Sequence, residues 1–447
     1  MPDRILKFPD GFLWGSATSA HQTEGENTNN DFWAWEQEPG RVADGTNSGL
    51  ACDWWRRAEE DFDRAAALGH NTLRLSLEWS RLEPEPGRWD EAAVDRYREM
   101  LVALRQRGIE PMLTLHHFTN PLWLAGQGGW LAPNIVPLFE RYAGKAARWF
   151  GDLCRLWCTI NEPMVYAVNA YLVGIWFPGR TRLRQAFQVA ANMARAHGAA
   201  YQALRRERPG AQVGLAKHIP YFDPAGATVL DGGLAAARDL LFNRRFLEAV
   251  TEGRLKPPLG WGFGGRVVPQ AVDSVDFLGL NYYGGYKVTF DARSPSGLFS
   301  RHVIADHQAE MWDAPWADRE ISPGGLYRCL KRLAAYGKPI FIAENGLDDA
   351  QDRRRPRFLL AHLAAVHRAI REGVDVRGFY HWTLVDNYEW VEGWTTRFGL
   401  IALDPETQAR APRRSAEMYA AIARANAISE ELVAGYAPEA VEDIFAA

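Results

Sequence analysis

The sequence predicts an α/β fold: a single (β/α)8 barrel of the TIM type, with long strand-to-helix loops at its C-terminal face. Three observations carry the prediction. Eight short, apolar, β-rich runs are spread along the chain, and an amphipathic helical pattern follows each. No Pro/Ser-rich linker or break in composition divides the 447 residues, so 1–447 is read as one barrel domain.

The elements follow in order. FLWGSATSA (12–20) is the first run, and RAEEDFDRAAALG (57–69) is its helix, with a final glycine suited to a left-handed cap. TLRLSLEWS (72–80) precedes EAAVDRYREMLVALRQRG (91–108), which ends in the same way. EPMLTLHHF (110–118), LWCTINEP (156–163) and QVGLAKHIP (212–220) lead into helical patterns at 134–150, 184–207 and 233–252. DFLGLNYY (276–283), PIFIAEN (339–345) and VRGFYHWTL (376–384) lead into patterns at 324–336, 356–372 and 413–425. The tail after about residue 428 has no strand pattern and is read as a docked helix or a mobile end, a segment (428–447) of uncertain structure.

Bulk properties exclude several functions. The net charge of −4 and pI near 6.3 leave no basic footprint for nucleic acid and no polybasic membrane patch. No apolar stretch approaches the roughly 18 residues of a membrane span, and the N-terminus lacks the apolar core of a signal peptide. Four cysteines are too few to staple this chain, and no Cys/His cluster completes a metal site around Cys154 and Cys158. The expectation is a cytoplasmic protein that needs neither metal nor cofactor. A homo-oligomer is left open.

A barrel of this kind carries its chemistry at the C-terminal ends of the strands. Those ends carry Gln22 and Glu24, Arg74 and Glu78, His116 and His117, Asn161 and Glu162, Asn281 and Tyr283, and Glu344 and Asn345. His381, Trp382 and DNYEW (386–390) complete the ring. Glu162 and Glu344 each close an apolar strand, across the barrel mouth from one another. Two carboxylates flanking one bond are the equipment of glycoside hydrolysis, one protonating the leaving oxygen and the other attacking carbon or activating water. Gln22, His117, Asn161 and Glu389 are the hydrogen-bonding types that sugar hydroxyls need, and Trp382 and Trp390 offer faces for a pyranose. Arg74 would lower the pKa of a nucleophilic carboxylate, and Tyr283 would donate to it.

FLWGSATSAHQTEG, LRLSLEWSR, TINEP, GLNYY, IAENG and HWTLVDNYEWVEGWTTRFGL, in that order, resemble the motifs of glycoside hydrolase family 1 from about residue 8 to 403. The resemblance implies a retaining exo-β-glycosidase, of β-glucosidase type, acting on β-linked oligosaccharides and β-glycosides. Glu162 would be its acid/base and Glu344 its nucleophile, with Arg74, Asn281 and Tyr283 orienting that nucleophile. It further implies a glycone pocket of Gln22, His117, Asn161, Glu389 and Trp390, with Trp382 as platform and Phe398 closing it. Phe118 departs from the family's frequent His-Trp. Met164 replaces a frequent Trp and is expected at the aglycone, where Trp312 and Trp316 are either walls or packing. Glu389 argues against phosphorylated sugars. A transglycosylase using the same intermediate, or a non-catalytic sugar-binding barrel, is the alternative.

Other features read more plainly. GWGFGG (260–265) lacks the preceding strand of a nucleotide fingerprint. RRRPR (353–357) reads as a solvated helix start, and His362 and His367 as surface or packing residues.

Overall fold

The computed structural model describes residues 4–260, 267–294, 299–304, 310–313 and 315–445. Eight parallel strands close a barrel: β1 (Leu13–Ala17), β2 (Thr72–Ser76), β3 (Glu110–His116), β4 (Leu156–Asn161), β5 (Gln212–His218), β6 (Phe277–Asn281), β7 (Ile340–Asn345) and β8 (Val376–Trp382). Each pairs with its neighbours in chain order, and β8 pairs back to β1, so the barrel has no free edge. All eight expected strands are present, each within the span read from sequence. Nearly every strand residue is buried, because the helices cover one face and the barrel interior takes the other.

The helices α1 (Trp54–Ala67), α2 (Glu91–Gln106), α3 (Ile135–Phe150) and α4 (Leu183–Glu207) follow the first four strands. α5 runs from Val229–Arg238 through a π-type turn at Asp239–Arg244 into Arg245–Thr251. α6 (Pro323–Ala334), α7 (Arg355–Arg371) and α8 (Arg414–Ala425) complete the ring. Local chemistry sets their ends. Asp90 caps α2 by accepting from the amides of Ala92 and Ala93. Gly69 and Gly108, just past α1 and α2, lie in the left-handed region, at φ 76° and 71°. No described helix is long and apolar enough to cross a membrane.

Two expectations need correction. The tail contributes a short strand, Ala427–Ser429, antiparallel to Ile5–Lys7 with Leu6 opposite Ile428. Helices Glu430–Tyr436 and Val441–Phe445 then dock by burying Val433 and Ile444. Three residues are too few to display a period of two, and their partner lies more than 400 positions away. In RRRPR, Arg355 is fully buried instead of solvated. It donates to the carbonyls of Asp349 and Arg397, both at 2.7 Å, and pairs with Asp352. Loops beyond β7 and β8 turn carbonyls inward that accept one backbone amide each, and one guanidinium has enough donors to add a second bond to both. His362 and His367 are buried in packing. GWGFGG, apart from Gly260, lies outside the described residues.

Candidate active site

Glu162 sits where β4 stops. Pro163 has no amide to offer a ladder and instead opens the helix Pro163–Val168. Between strand and helix, Glu162 takes φ +44° and ψ 57°, a conformation that costs energy for a side-chain-bearing residue. Its amide donates to the carbonyl of Ala216 on β5 at 2.8 Å, which fixes the turn. Glu344, next to last in β7, makes no such turn. The glycine after its neighbour is required by contact: a Cβ on Gly346 would lie 2.0 Å from the carbonyl oxygen of Trp382.

The two carboxylates share one cavity of about 360 Å³, lined also by His117, Phe118, Asn161, Tyr283, Trp382, Glu389, Trp390 and Phe398. Their surroundings differ. Arg74, fully buried on β2, donates to Oε1 of Glu344 at 2.6 Å, and the Tyr283 hydroxyl donates to Oε2 at 2.7 Å. Neither contacts Glu162, which accepts at Oε1 from the amide of Asn281 at 2.8 Å. Asn161 links the two halves: its Oδ1 accepts from Arg74 at 2.7 Å and from Asn281 at 3.0 Å. Its amide lies 3.0 Å from Nε2 of His117.

This asymmetry divides the protons. Burial, then the charge of Glu344, pushes Glu162 up to about 8, against weaker opposition from Asn281, Lys217 and Arg74. Burial also raises Glu344, but Arg74 and Tyr283 pull it back, and neither donates to Glu162. In a pair of interacting carboxyls, Glu344 therefore ionises first and Glu162 retains the proton. Burial and the charge of Arg74 hold His117 well below its ordinary value, so its ring is neutral.

The expected glycone residues converge. Gln22 donates to Oε2 of Glu389 at 2.9 Å and to the carbonyl of Tyr388 at 2.8 Å. Burial, then the charge of Glu344, raises Glu389 to about 8. The His117 ring stacks between Trp382 and Trp390, at centroid distances of 5.8 and 6.0 Å. Phe118, at φ +76°, packs on Trp390 and Trp176. The aglycone candidates lie farther out. Met164 lines an adjoining cavity, and Trp312 is buried behind Tyr283, Phe398 and Trp316. Of the two tryptophans, Trp316 reaches the cavity wall.

Glu24 and Glu78, also at strand ends, point elsewhere. Glu24 holds Tyr97 and Arg81, and Glu78 holds Ser80 and Thr119. Sequence reading missed His218, Tyr286, Asp318, Arg319 and Glu392 in the cavity wall. His218 was within reach, since it ends β5 by the rule that found the others. Tyr286 lies on a strand outside the barrel, Gly285–Phe290, and the others on short irregular segments with no period to mark them.

A closed parallel barrel presenting two carboxyls with unlike partners to a sugar-sized cavity has the makings of a glycoside hydrolase. The chain belongs to that class at family level: residues 5–428 match the model of glycosyl hydrolase family 1, and the chain is a member of it. It is 32% identical to beta-glucosidase A of Thermotoga maritima, covering 95% of this chain and 100% of that one. A beta-glycosidase from Pyrococcus horikoshii superposes with a TM-score of 0.89 at 39% identity, covering 97% and 98% of the two chains. The Thermotoga maritima beta-glucosidase in complex with galacto-hydroximolactam superposes with a TM-score of 0.87 at 31% identity, covering 94% and 99%.

Proposed function

We propose that the protein is a retaining exo-β-glycosidase that releases terminal β-D-glucosyl units, and galactosyl or fucosyl units alongside them. The observation that carries the reading is the unequal treatment of the carboxylates, with Arg74 and Tyr283 on Glu344 and neither on Glu162.

Ionised Glu344 attacks the anomeric carbon while Glu162 gives its proton to the departing glycosidic oxygen. The C–O bond breaks, the aglycone leaves as an alcohol, and the sugar is left esterified to Glu344 with inverted configuration. Glu162, now a carboxylate, takes a proton from water as that water attacks the same carbon. The second inversion restores the β-configuration, Glu344 is freed, and Glu162 is again protonated. Asn161 is the partner for the sugar 2-hydroxyl, and Gln22 with Glu389 takes hydroxyls at the far end of the ring. A carboxylate accepts from either epimer at the 4-position, which supports action on both glucosides and galactosides. The galacto-configured complex of the related beta-glucosidase is consistent with that breadth. Glu389 also disfavours 6-phosphorylated sugars, since it puts an acidic group where a phosphate would need a cation. All four cysteines are free and buried, which suits the reducing cytoplasm inferred for the protein.

Proton NMR of a β-glucoside digest tests the mechanism. The β-anomer should appear first and mutarotate afterwards; early α-anomer would refute retention.

A further inference from the structure

Lys217 interrupts the apolar run of β5 as Arg74 interrupts that of β2, and like Arg74 it is buried. An ammonium inside a protein is costly unless charges or dipoles answer it. Lys217 has few of either. It donates to the carbonyl of His218 at 2.6 Å and lies 4.4 Å from the centre of the Phe242 ring. Among the described residues no carboxylate forms an ion pair with it, and the acids whose charge reaches it are Glu162 and, more weakly, Asp239. Asp239 is already engaged. Arg332 of α6 pairs with one of its oxygens, and Asn243 donates to the other at 2.8 Å. Glu162 is left as the acid that Lys217 serves.

The backbone ties the two to one turn. Ala216, just before Lys217, pairs with Asn161 across β4 and β5 and accepts from the Glu162 amide at 2.8 Å. His218, just after it, lies 3.2 Å through Nδ1 from the carbonyl of Asn281, whose side-chain amide donates to Oε1 of Glu162. Burial, with the charges of Arg319 and Lys217, keeps the His218 ring neutral.

In the resting state Glu162 is a neutral acid. Once its proton has gone to the leaving oxygen it is a buried carboxylate in need of a cation. Lys217 and Arg74 both favour that carboxylate, and Lys217 does so more strongly. Burial pushes Lys217 down to about 7, so it carries its charge on the acid side of neutrality.

We propose that Lys217 is a positioning residue that acts through Glu162, its fixed ammonium being the counter-charge of the Glu162 carboxylate while the sugar is bound to Glu344. Lys217 keeps its own protons throughout. The inference rests on the double-displacement reading above.

Two variants test it. Lys217→Met removes the charge at similar volume, and Lys217→Gln removes it but keeps a donor for the His218 carbonyl. Without the ammonium the carboxylate of Glu162 is harder to form, so both steps should shift toward alkali. On methyl β-glucoside, the alkaline limb of kcat/KM should move up by about half a unit to one unit in both variants. Dinitrophenyl β-glucoside needs no proton in its first step, so the attack of water limits its turnover. On the acid limb its kcat should fall about 3- to 10-fold and KM with it, leaving kcat/KM unchanged. Unmoved limbs would overturn the proposal, as would a Gln variant that behaves like the unmodified enzyme while the Met variant does not.

The unmodified enzyme supplies a third measurement, independent of how the variants fold. Trapping with a 2-deoxy-2-fluoro-β-glucosyl fluoride should raise the titration of the buried lysine, followed by NMR of lysine labelled with carbon-13 at Cε. Loss of the Glu344 charge alone would lower it, so a fall or no change would also overturn the proposal. An enzyme that forms no adduct on Glu344 fails the double-displacement reading, whereas an adduct with an unmoved lysine fails this inference alone.

Discussion

Asn281 donates its side-chain amide to Glu162 at 2.8 Å, from the strand end whose Tyr283 donates to Glu344 at 2.7 Å. The end of β6 therefore touches both members of the pair. It does so through groups of different kind, a neutral amide on the acid and a phenol backed by Arg74 on the nucleophile.

Removing the phenol should weaken the nucleophile. Tyr283→Phe deletes a hydrogen bond to a charged group, a loss of roughly 1.5–3 kcal/mol, or about 10- to 100-fold in kcat/KM. Glu344 would also hold its proton to higher pH, so the acid limb of the pH profile should move upward. Steady-state rates of Tyr283→Phe from pH 4 to 8 check both effects, and an unmoved acid limb would contradict the role.

Glu162 should set the alkaline limb. Its carboxyl is pushed up to about 8, so kcat/KM on an unactivated β-glucoside should fall as pH rises through that value. Glu162→Gln should abolish that limb and slow methyl β-glucoside about 10²- to 10⁴-fold. Dinitrophenyl β-glucoside, whose leaving group departs without a proton, should lose far less in its first step. Equal losses on both substrates would remove Glu162 from the acid role.

Glu389 should make stability depend on pH in a definite direction. Its folded-state value is about 8 against 4.5 for an ordinary glutamate, so between those values the folded chain holds a proton that the unfolded chain has released. That contribution is fully present below about pH 4.5 and is lost as pH rises toward 8. Glu389→Gln should therefore lose less Tm than the unmodified protein between pH 5 and 8.5, as scanning calorimetry can measure. An equal loss would contradict the assignment.

Arg355 should be structural. Arg355→Met deprives the buried Asp352 carboxylate of its cationic partner and two loop carbonyls of a second donor, at a cost of about 3–5 kcal/mol. Urea unfolding checks this, and a change below 1 kcal/mol would mean the buried contacts are redundant.

Most of the barrel was legible because its strands are buried on both faces and read as uninterrupted apolar runs. Asn161, Glu162 and Glu344 stood out as the polar residues on which such runs stop. Arg74 was legible for a related reason, as a charge among apolar neighbours in TLRLS, all of which are buried. What was hidden depends on partners distant in sequence. Arg355 looked like one more charge in a basic run, and nothing local reveals the carbonyl of Arg397 that receives it. Glu24 and Glu78 met the strand-end rule yet turn to Tyr97 and Thr119, a choice made by side-chain direction. Arg319 reaches the cavity from a loop whose course no periodicity records, and Tyr286 from a strand outside the barrel.

The central claim is that Glu344 forms the bond to the sugar, held ready by Arg74 at 2.6 Å. Glu344→Ala removes the nucleophile and leaves Glu162 in place. Its hydrolysis of dinitrophenyl β-glucoside should fall about 10⁴-fold or more. Added azide should restore turnover by entering the vacated space, giving the α-glucosyl azide. Undiminished hydrolysis by Glu344→Ala, or an azide product of β-configuration, would contradict the account.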